Sequence, residues 1–396
     1  MERREIVIVG GGLAGAATAI RAAGLGHDVL VLERAASWRW RASGVFTSPA
    51  SVRALRSVGV TDAQLRRLAR PVPAMRLETP AGTRVRLTYG DDGSLTEPAV
   101  GLDRSGLDPL LLELAAAAGA EIRRGAAVQS VVKGRVELTD GTVVAGRVVV
   151  GADGLRSVVA RDAGVVRKPP LGPRRALTFH VEDPAGNGAR DARMIVFEGG
   201  YVGLAPVPGD RVNVGIVLAD RRWRRRLRRD GAVAVASAVM AAIPPADDDP
   251  IAWTAPRHCD RIEGVSPVGA HVSARAGADW LLVGDAAGFL DPFTGEGIHR
   301  ALRSAETAVA AIHRHLGGDE TALARYDRVQ ARRARAKDAV SLLVQAFVTA
   351  TPALEYAARR LAARAAVRET MGLVMGDLVP ASRAFDPRFL AALLRP

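Results

Sequence analysis

VIVGGGLAGAA, residues 7–17, decides the fold of this chain. It continues the apolar run IVIV, which is typical of a buried parallel strand. Gly10, Gly12 and Gly15 have G-x-G-x-x-G spacing, which lets a chain turn sharply, approach a pyrophosphate closely and pack the next helix on the strand. The pattern predicts a helix over Leu13–Ala23, with its N-terminal N–H groups directed at the phosphates.

A second apolar strand, residues 29–32, ends in Glu33, about 20 residues after the glycines. In a dinucleotide fold, a carboxylate at this position binds a ribose hydroxyl. A lone G-x-G-x-x-G is weak evidence, but strand, loop, helix, strand and acid in this order favour a dinucleotide site over an ordinary glycine turn. These residues alone leave NAD and FAD as alternatives.

Length and composition bound the class of protein. The chain has 396 residues, which is long enough for two domains. Its hydrophobic content of 48% and mean hydropathy of +0.08 supply an ample core. Cys259 is the one cysteine, so we expect neither an intramolecular disulfide nor a metal site. Since the first strand begins near residue 6 and no apolar run reaches membrane-spanning length, we expect a cytoplasmic protein without a signal peptide.

The charge is strongly positive, with a net value of +13 and a pI near 11. Two arginine-rich segments, 221–229 and 328–337, carry much of the excess, and Trp223 is the one aromatic residue among them. Without interleaved aromatics we expect no nucleic-acid partner, and a solvated helix face is the favoured interpretation. The alternative is a contact with an anionic membrane surface or an acidic carrier protein. Monomer and homodimer stay open.

Two more glycine-rich turns follow apolar strands far along the chain. They are GADGLRS at 151–157 and GDAAGFLDPFTGEGI at 284–298, and each contains an acid. Between them the pattern is mainly β, and a long helix is predicted from about Glu296. The predicted domains are a nucleotide-binding domain of residues 1–72, 101–165 and 276–335, a β-sheet domain of 73–100 and 166–275, and a helical segment of 336–396.

The three motifs together resemble the FAD-dependent oxidoreductases of the p-hydroxybenzoate hydroxylase fold, a group that includes geranylgeranyl reductases and flavin halogenases. The resemblance covers nearly the whole chain. It implies an α/β fold in which a Rossmann-like FAD-binding domain (GR2 type) is interleaved with a mainly β substrate domain and followed by C-terminal helices. It also implies FAD as cofactor and NAD(P)H as co-substrate.

The resemblance further implies which residues bind FAD. The glycine loop would hold the pyrophosphate, Glu33 the adenosine ribose and Asp285 the ribityl chain, and the helix after Gly295 would direct its positive end at the reduced flavin. Arg41, in RASGV, would lie near the flavin or the nicotinamide. The full implied set is Gly10, Gly12, Leu13, Ala14, Gly15, Glu33, Arg34, Arg41, Arg104, Val128, Asp153, Gly154, Gly284, Asp285, Pro292, Gly295, Glu296, Gly297 and Ile298.

Three reactions compete within this group. A halogenase would carry W-x-W-x-I-P, whereas this chain reads WRWRA at 38–42 and lacks the Ile and Pro. A prenyl reductase is favoured by YVGLAPVPGDRVNVGIVL at 201–218 but usually has a Cys-Gly pair where this chain reads ASG. We therefore expect a monooxygenase that forms a flavin C4a-hydroperoxide from NAD(P)H and O2, with the reductase as alternative and a flavin-binding protein without turnover as a further one.

Such chemistry needs few side chains, because the flavin carries the reactive oxygen and the protein positions the substrate. Pro292 would fix the backbone beside the ring. His299, Tyr201 and His180 are candidate bases for a phenolic substrate, although packing or backbone contact explains each of them as well. The pocket is expected between the β-sheet and the flavin, closed by the C-terminal helices. Its apolar character predicts a lipophilic aromatic or polyketide-like substrate.

Overall fold

The computed structural model describes residues 1–40, 43–89, 98–243, 251, 253 and 256–395. The strands are β1 (Glu2–Val9), β2 (Val29–Glu33), β3 (Phe46–Thr47), β4 (Ala69–Val72), β5 (Ala74–Glu78), β6 (Arg84–Thr88), β7 (Ala99–Leu102), β8 (Glu121–Arg124), β9 (Val128–Val132), β10 (Arg135–Leu138), β11 (Val143–Gly151), β12 (Val166–Arg167), β13 (Arg175–Glu182), β14 (Ala192–Phe197), β15 (Gly200–Val207), β16 (Arg211–Leu218), β17 (Glu263–Val265), β18 (His271–Val272) and β19 (Trp280–Leu282). The helices are α1 (Leu13–Ala23), α2 (Pro49–Arg56), α3 (Asp62–Leu68), α4 (Arg104–Ala117), α5 (Val158–Asp162), α6 (Arg221–Ala241), α7 (Gly297–Leu316), α8 (Ala322–Thr349), α9 (Thr351–Ala363), α10 (Ala365–Met375) and α11 (Pro387–Leu394).

The first sheet has seven strands in the order β8-β2-β1-β11-β10-β9, and β19 also pairs with β11. Its central strands are parallel, and they read as continuous apolar runs because both faces are covered. Helices α1, α4 and α7 pack on one face. The predicted helix over Leu13–Ala23 is confirmed as α1, and the fold class is the predicted one. Strand β11 lies beside β1 and runs parallel to it.

The second sheet has the order β17-β13-β16-β15-β14-β5-β6 and is antiparallel except where β14 runs parallel to β5. Successive side chains of a strand point to opposite faces. The outer face packs against α6 and includes Phe179, Val214 and Ile216. The inner face includes Tyr201 and Val217 and packs against Phe293, near the third glycine-rich motif. The inner face of this sheet therefore borders the first domain.

Helix α8 is one continuous helix of 28 residues. Near its start, the Tyr326 hydroxyl donates to the Leu282 carbonyl of β19 at 2.6 Å. Near its end, Val348 packs in the cluster under the second sheet. The domain boundary predicted between residues 335 and 336 thus falls inside a single helix, because a helix with no Gly or Pro there gives the chain no point at which to separate. Among the described residues no single helix has the length and apolar character of a membrane span, and one bent pair, α8 and α9 at 112°, meets those criteria jointly.

Candidate flavin and substrate site

The glycine loop after β1 is shaped by close backbone contacts. Gly10 has a φ of +102°, and a Cβ there would lie 2.6 Å from the Ala152 carbonyl oxygen. A Cβ on Gly15 would lie 1.9 Å from the Gly10 carbonyl oxygen, so only glycine lets α1 start this close to the strand. A Cβ on Gly12 would meet no protein atom within 4 Å. The loop therefore closes on the protein side and stays open at Gly12, as the binding of a pyrophosphate requires.

Glu33, at the end of β2, braces this loop. Its carboxylate is buried and accepts hydrogen bonds from the Gly11 N–H at 2.8 Å and the Ala35 N–H at 2.9 Å. The Glu33 carbonyl accepts from the Ala126 N–H at 3.0 Å, which brings the segment leading to Val128 alongside. Arg34 is exposed beside it. The acid is thus at the position implied for ribose binding and also fixes the loop backbone.

The second motif lies against the first. Asp153 follows the Ala152 carbonyl that contacts Gly10, and its Oδ2 accepts from the Val158 N–H at 2.6 Å at the start of α5. Its Oδ1 is buried and has no hydrogen-bond partner among the described residues, and burial raises the pKa of this carboxyl. Gly154 has a φ of +77°, with no atom near its missing Cβ. An acceptor left without a donor beside the glycine loop fits a site completed by a ligand.

The third motif begins with a turn that touches α1. Gly284 has a φ of +59°, and a Cβ there would lie 2.7 Å from the Ala14 Cβ. The next side chain, Asp285, is partly exposed and makes no hydrogen bond among the described residues. Burial raises the pKa of Asp285, and Arg300 and Arg104 oppose that rise. An unpaired carboxylate beside the start of α1 fits the ribityl hydroxyls implied for this position.

Asp291, one residue before Pro292, is the centre of a buried polar cluster. Its carboxylate accepts from the Tyr201 hydroxyl at 2.7 Å, from Gln345 Nε2 at 2.7 Å and from the Phe293 N–H at 3.0 Å, and it forms an ion pair with Arg174. Burial and the Asp291 charge raise the pKa of Tyr201 well above its ordinary value. The sequence suggested Tyr201 as a base, but the structure corrects this. The Tyr201 hydroxyl stays protonated, donates a hydrogen bond to Asp291 and so holds the loop in place.

The turn into α7 is held on two sides. Gly295 has a φ of +66°, and a Cβ there would lie 2.5 Å from Phe46 of β3. Glu296 is buried and pairs with Lys337 at 2.8 Å and with Arg300 at 3.3 Å. Burial alone would raise the pKa of Glu296, but these two cations hold it below its usual value. Because its charge is compensated there, the carboxylate does not cancel the positive end of α7.

Several buried polar atoms around this turn lack partners among the described residues. They are Thr47 Oγ1, Thr294 Oγ1, Trp40 Nε1 and His299 Nδ1. Burial lowers the pKa of His299, whose charged neighbours are Asp377, Lys337, Arg303 and Glu296. Unsatisfied buried donors and acceptors are uncommon, so this group of polar atoms fits a site at which a ligand or water completes the hydrogen bonds.

His180 lies on the inner face of the second sheet. It is buried, its Nδ1 lies 2.7 Å from Asp260 Oδ2, and its backbone N–H donates to Asp260 Oδ1 at 2.8 Å. The Trp40 ring packs on it with centroids 4.5 Å apart. Burial lowers the pKa of His180 more than Asp260 raises it, so the imidazole is neutral at neutral pH. A base oriented by a carboxylate in this way can accept a proton at Nε2.

The inner face beside His180 is polar at one end, and two glycines face each other in its middle. Asn213 pairs with His180 across the strands, and its Oδ1 accepts from the Thr178 hydroxyl at 3.1 Å. In the next row, Gly215 and Gly203 face each other on neighbouring strands. Neither glycine has a side chain, and the Met194 side chain covers this row, with its Cε 3.5 Å from the position of a Cβ on Gly203. The face thus has hydrogen-bonding groups along one border and apolar packing beside them.

The other implied cofactor residues fall into three groups. Leu13, Ala14 and Ile298 are buried in the core formed by α1 and α7, and Gly297 has an open Cβ position. Arg104 binds Asp108 at 2.7 Å and donates to the Gly44 carbonyl at 2.8 Å, so it holds the loop after β2 against α4. Arg41 lies outside the described residues.

The sequence reasoning missed Asp291, Arg174, Gln345 and Asp260. Asp291 stood inside the quoted third motif, so its position could have indicated it. The other three are far from any motif, and no sequence signal identifies them.

Comparison with known proteins agrees with this geometry. Residues 3–342 match the family described as "FAD binding domain". The chain is 30% identical over 350 residues to "Digeranylgeranylglycerophospholipid reductase 1" of Methanopyrus kandleri, covering 83% of this chain and 85% of that relative. It resembles the flavin-dependent halogenase CmlS with 26% identity and a TM-score of 0.73, over 85% of this chain and 63% of that one, so it spans less than two thirds of that protein. It also resembles pqsL of Pseudomonas aeruginosa, a probable FAD-dependent monooxygenase, with 21% identity and a TM-score of 0.65 over 96% of this chain and 100% of that one.

The fold and the three glycine-rich turns define a flavoprotein oxidoreductase. This chain belongs to the FAD-binding-domain family, and FAD is its cofactor. The residues fit the group, since an open Gly12, an unpaired Asp285 and orphaned polar atoms beside α7 lie where its phosphates, ribityl chain and ring are implied.

Proposed function

We propose that this chain is an FAD-dependent monooxygenase that uses NAD(P)H and O2 to hydroxylate or epoxidise a lipophilic aromatic, phenolic or polyketide-like molecule. The observation that carries the proposal is the pair formed by buried His180 and half-buried Asp260 on the second sheet, whose inner face borders the first domain. A substrate with an acidic hydroxyl group can transfer its proton to such a pair, whereas a purely hydrocarbon substrate has no acidic proton to transfer.

When bound, FAD supplies the redox chemistry, taking reducing equivalents from NAD(P)H and passing them to dioxygen. The residues of the chain position the substrate and exclude water from the site. Tyr201 and Arg174 hold Asp291, and Asp291 in turn fixes the backbone at Phe293 beside Pro292. The inner face of the second sheet, beside His180 and Asn213, would receive the substrate ring.

His180 would act on the substrate hydroxyl. Because Nδ1 is held against Asp260 Oδ2, the proton of the neutral ring is on Nδ1 and Nε2 is the acceptor. Transfer of the phenolic proton to Nε2 leaves a phenolate, whose ring is more nucleophilic, and the carboxylate stabilises the imidazolium that forms. Asn213 and Thr178 border the same face and would orient further polar groups of the substrate.

The pH dependence tests this role. His180→Asn should reduce the rate of product formation about 10²- to 10⁴-fold and remove the acidic limb of the rate profile, since that limb reports protonation of the base. His258→Asn is the matched control, because His258 is exposed and stacks on Phe179 at 4.7 Å on the other side of the strand. If both variants keep the acidic limb, His180 is not the base.

A second candidate is saturation of prenyl double bonds, which the 30% identity with the Methanopyrus kandleri reductase favours. Isotopes separate the two reactions in the wild-type holoenzyme. With a panel of phenols and polyprenyl compounds, isotopically labelled dioxygen should enter the product of a monooxygenase. Incorporation of two hydrogens from deuterated solvent and reduced nicotinamide, with no label from dioxygen, would instead establish the reductase.

A further inference from the structure

The arginines at the start of α6 form two sets. Seven of the nine residues 221–229 are arginine. One set has acidic partners: Arg222 pairs with Glu198 at 3.5 Å, and Arg226 and Arg229 pair with Asp230 at 3.3 and 2.6 Å. This set is the solvated, compensated helix face that the composition predicts.

The second set consists of Arg221, Arg224, Arg225 and Arg228. Their spacing of three, four and seven residues places them on one face of the helix. Within the described part of the chain, none of the four forms an ion pair with a carboxylate, and Arg224 donates to the Pro173 carbonyl. A row of uncompensated guanidinium groups repels itself, so it favours the binding of an anion.

These four arginines line an open cleft of about 480 Å³. The opposite wall is formed by Pro173, Arg174, Arg175 and Ser266. Arg175 also has no carboxylate partner among the described residues, so a fifth uncompensated cation faces the same space. The Ser266 carbonyl accepts from Arg156 at 2.6 Å, and Arg156 belongs to the second glycine-rich motif. The cleft is therefore at the junction of the two domains.

We infer that this cleft binds a phosphate-bearing molecule through its phosphate groups. The planar guanidinium group binds phosphate oxygens in pairs. Within the part of the chain that the structure describes, five such groups without carboxylate partners line the same cleft, so they favour a ligand with more than one negative charge. The N-terminal end of α6 is capped by the Asp220 carboxylate, which accepts from the Arg222 N–H at 2.6 Å, so the arginine side chains and not the helix end supply the positive charge of the cleft. This site is separate from the flavin loops and does not depend on which reaction the flavin performs.

Inorganic pyrophosphate is the probe, titrated into the FAD-loaded protein by calorimetry at constant ionic strength. The test variant is Arg221→Gln with Arg225→Gln, and the matched control is Arg222→Gln with Arg229→Gln, which removes the same charge from the paired set. We expect the test variant to bind pyrophosphate at least about tenfold more weakly and the control to stay within about threefold of wild type. Equal losses in both variants, or wild-type binding no stronger than that of chloride, would overturn the inference.

Once pyrophosphate binds as expected, two further arms identify the natural source of the phosphate. A rise in the KM for NADPH but not NADH in the test variant would assign the cleft to the 2′-phosphate of the nucleotide. Loss of co-sedimentation with phosphatidic acid vesicles, against phosphatidylcholine vesicles as reference, would assign it to a lipid headgroup. Absence of both effects would assign the cleft to a soluble polyphosphate. These outcomes differ in the source of the phosphate and agree on the cleft that binds it.

Discussion

Gly12→Ala separates cofactor binding from folding at the glycine loop. Gly12 has a φ of −71°, which alanine adopts without strain, and its new Cβ would meet no protein atom within 4 Å. The stability of the apoprotein should therefore change little, with a gain of about 0.4–1 kcal/mol from the restricted unfolded chain. If the pyrophosphate fills the open side of the loop, the methyl group overlaps it, and overpacking of that kind costs about 1–3 kcal/mol. FAD affinity should fall about 5- to 150-fold.

The assay is calorimetric titration of the apoprotein with FAD, together with thermal unfolding of the same sample. Gly15→Ala is the contrasting variant, since its Cβ would lie 1.9 Å from the Gly10 carbonyl oxygen and must displace backbone. We expect that variant to lose stability as well as FAD binding. Wild-type FAD affinity in Gly12→Ala would refute the placement of the phosphates at this loop.

Three further outcomes follow from buried or paired charges. Asp291→Asn leaves Arg174 buried without its ion-pair partner, so we expect the free energy of unfolding to fall by about 3–5 kcal/mol. Denaturant titration measures this loss, and an unchanged midpoint would contradict the expectation. Asp260→Asn should move the acidic limb of the rate profile to lower pH, because the Asp260 charge raises the pKa of His180; a shift to higher pH would oppose the proposed pairing. Hydrogen bonds from two threonine hydroxyls of the β5–β6 turn lower the pKa of Glu355 from 4.5 to about 2, so its contribution to stability is present above pH 4.5 and is lost as the pH falls towards 2. Glu355→Gln should flatten the acid dependence of the melting temperature over that interval, and an equally steep dependence would argue against it.

The cofactor domain was predictable because its signals are local. A glycine motif, a helix and an acid within about 30 residues define each turn, and the backbone geometry at Gly10 and Gly15 is what the spacing requires. The strands of the second sheet were also predictable, from alternation and turn residues.

The electrostatic arrangement of the site could not be read in this way. Asp260 is 80 residues from His180, and Gln345 is 54 residues from Asp291, so only the folded chain brings each pair together. The resemblance implied Glu296 as a flavin-binding residue, but the sequence did not indicate that Arg300 and Lys337 pair with its carboxylate. A residue type in a motif indicates a position but not which neighbour satisfies its charge.

Helix α8 connects the region of the first sheet to that of the second. Its 28 residues extend about 42 Å, and about 29 Å of that length separates Tyr326, whose hydroxyl donates to the β19 carbonyl, from Gln345, which donates to Asp291. The same helix thus contacts a strand of the first sheet near one end and the polar cluster under the second sheet near the other. We expect heat to unfold both regions in one transition.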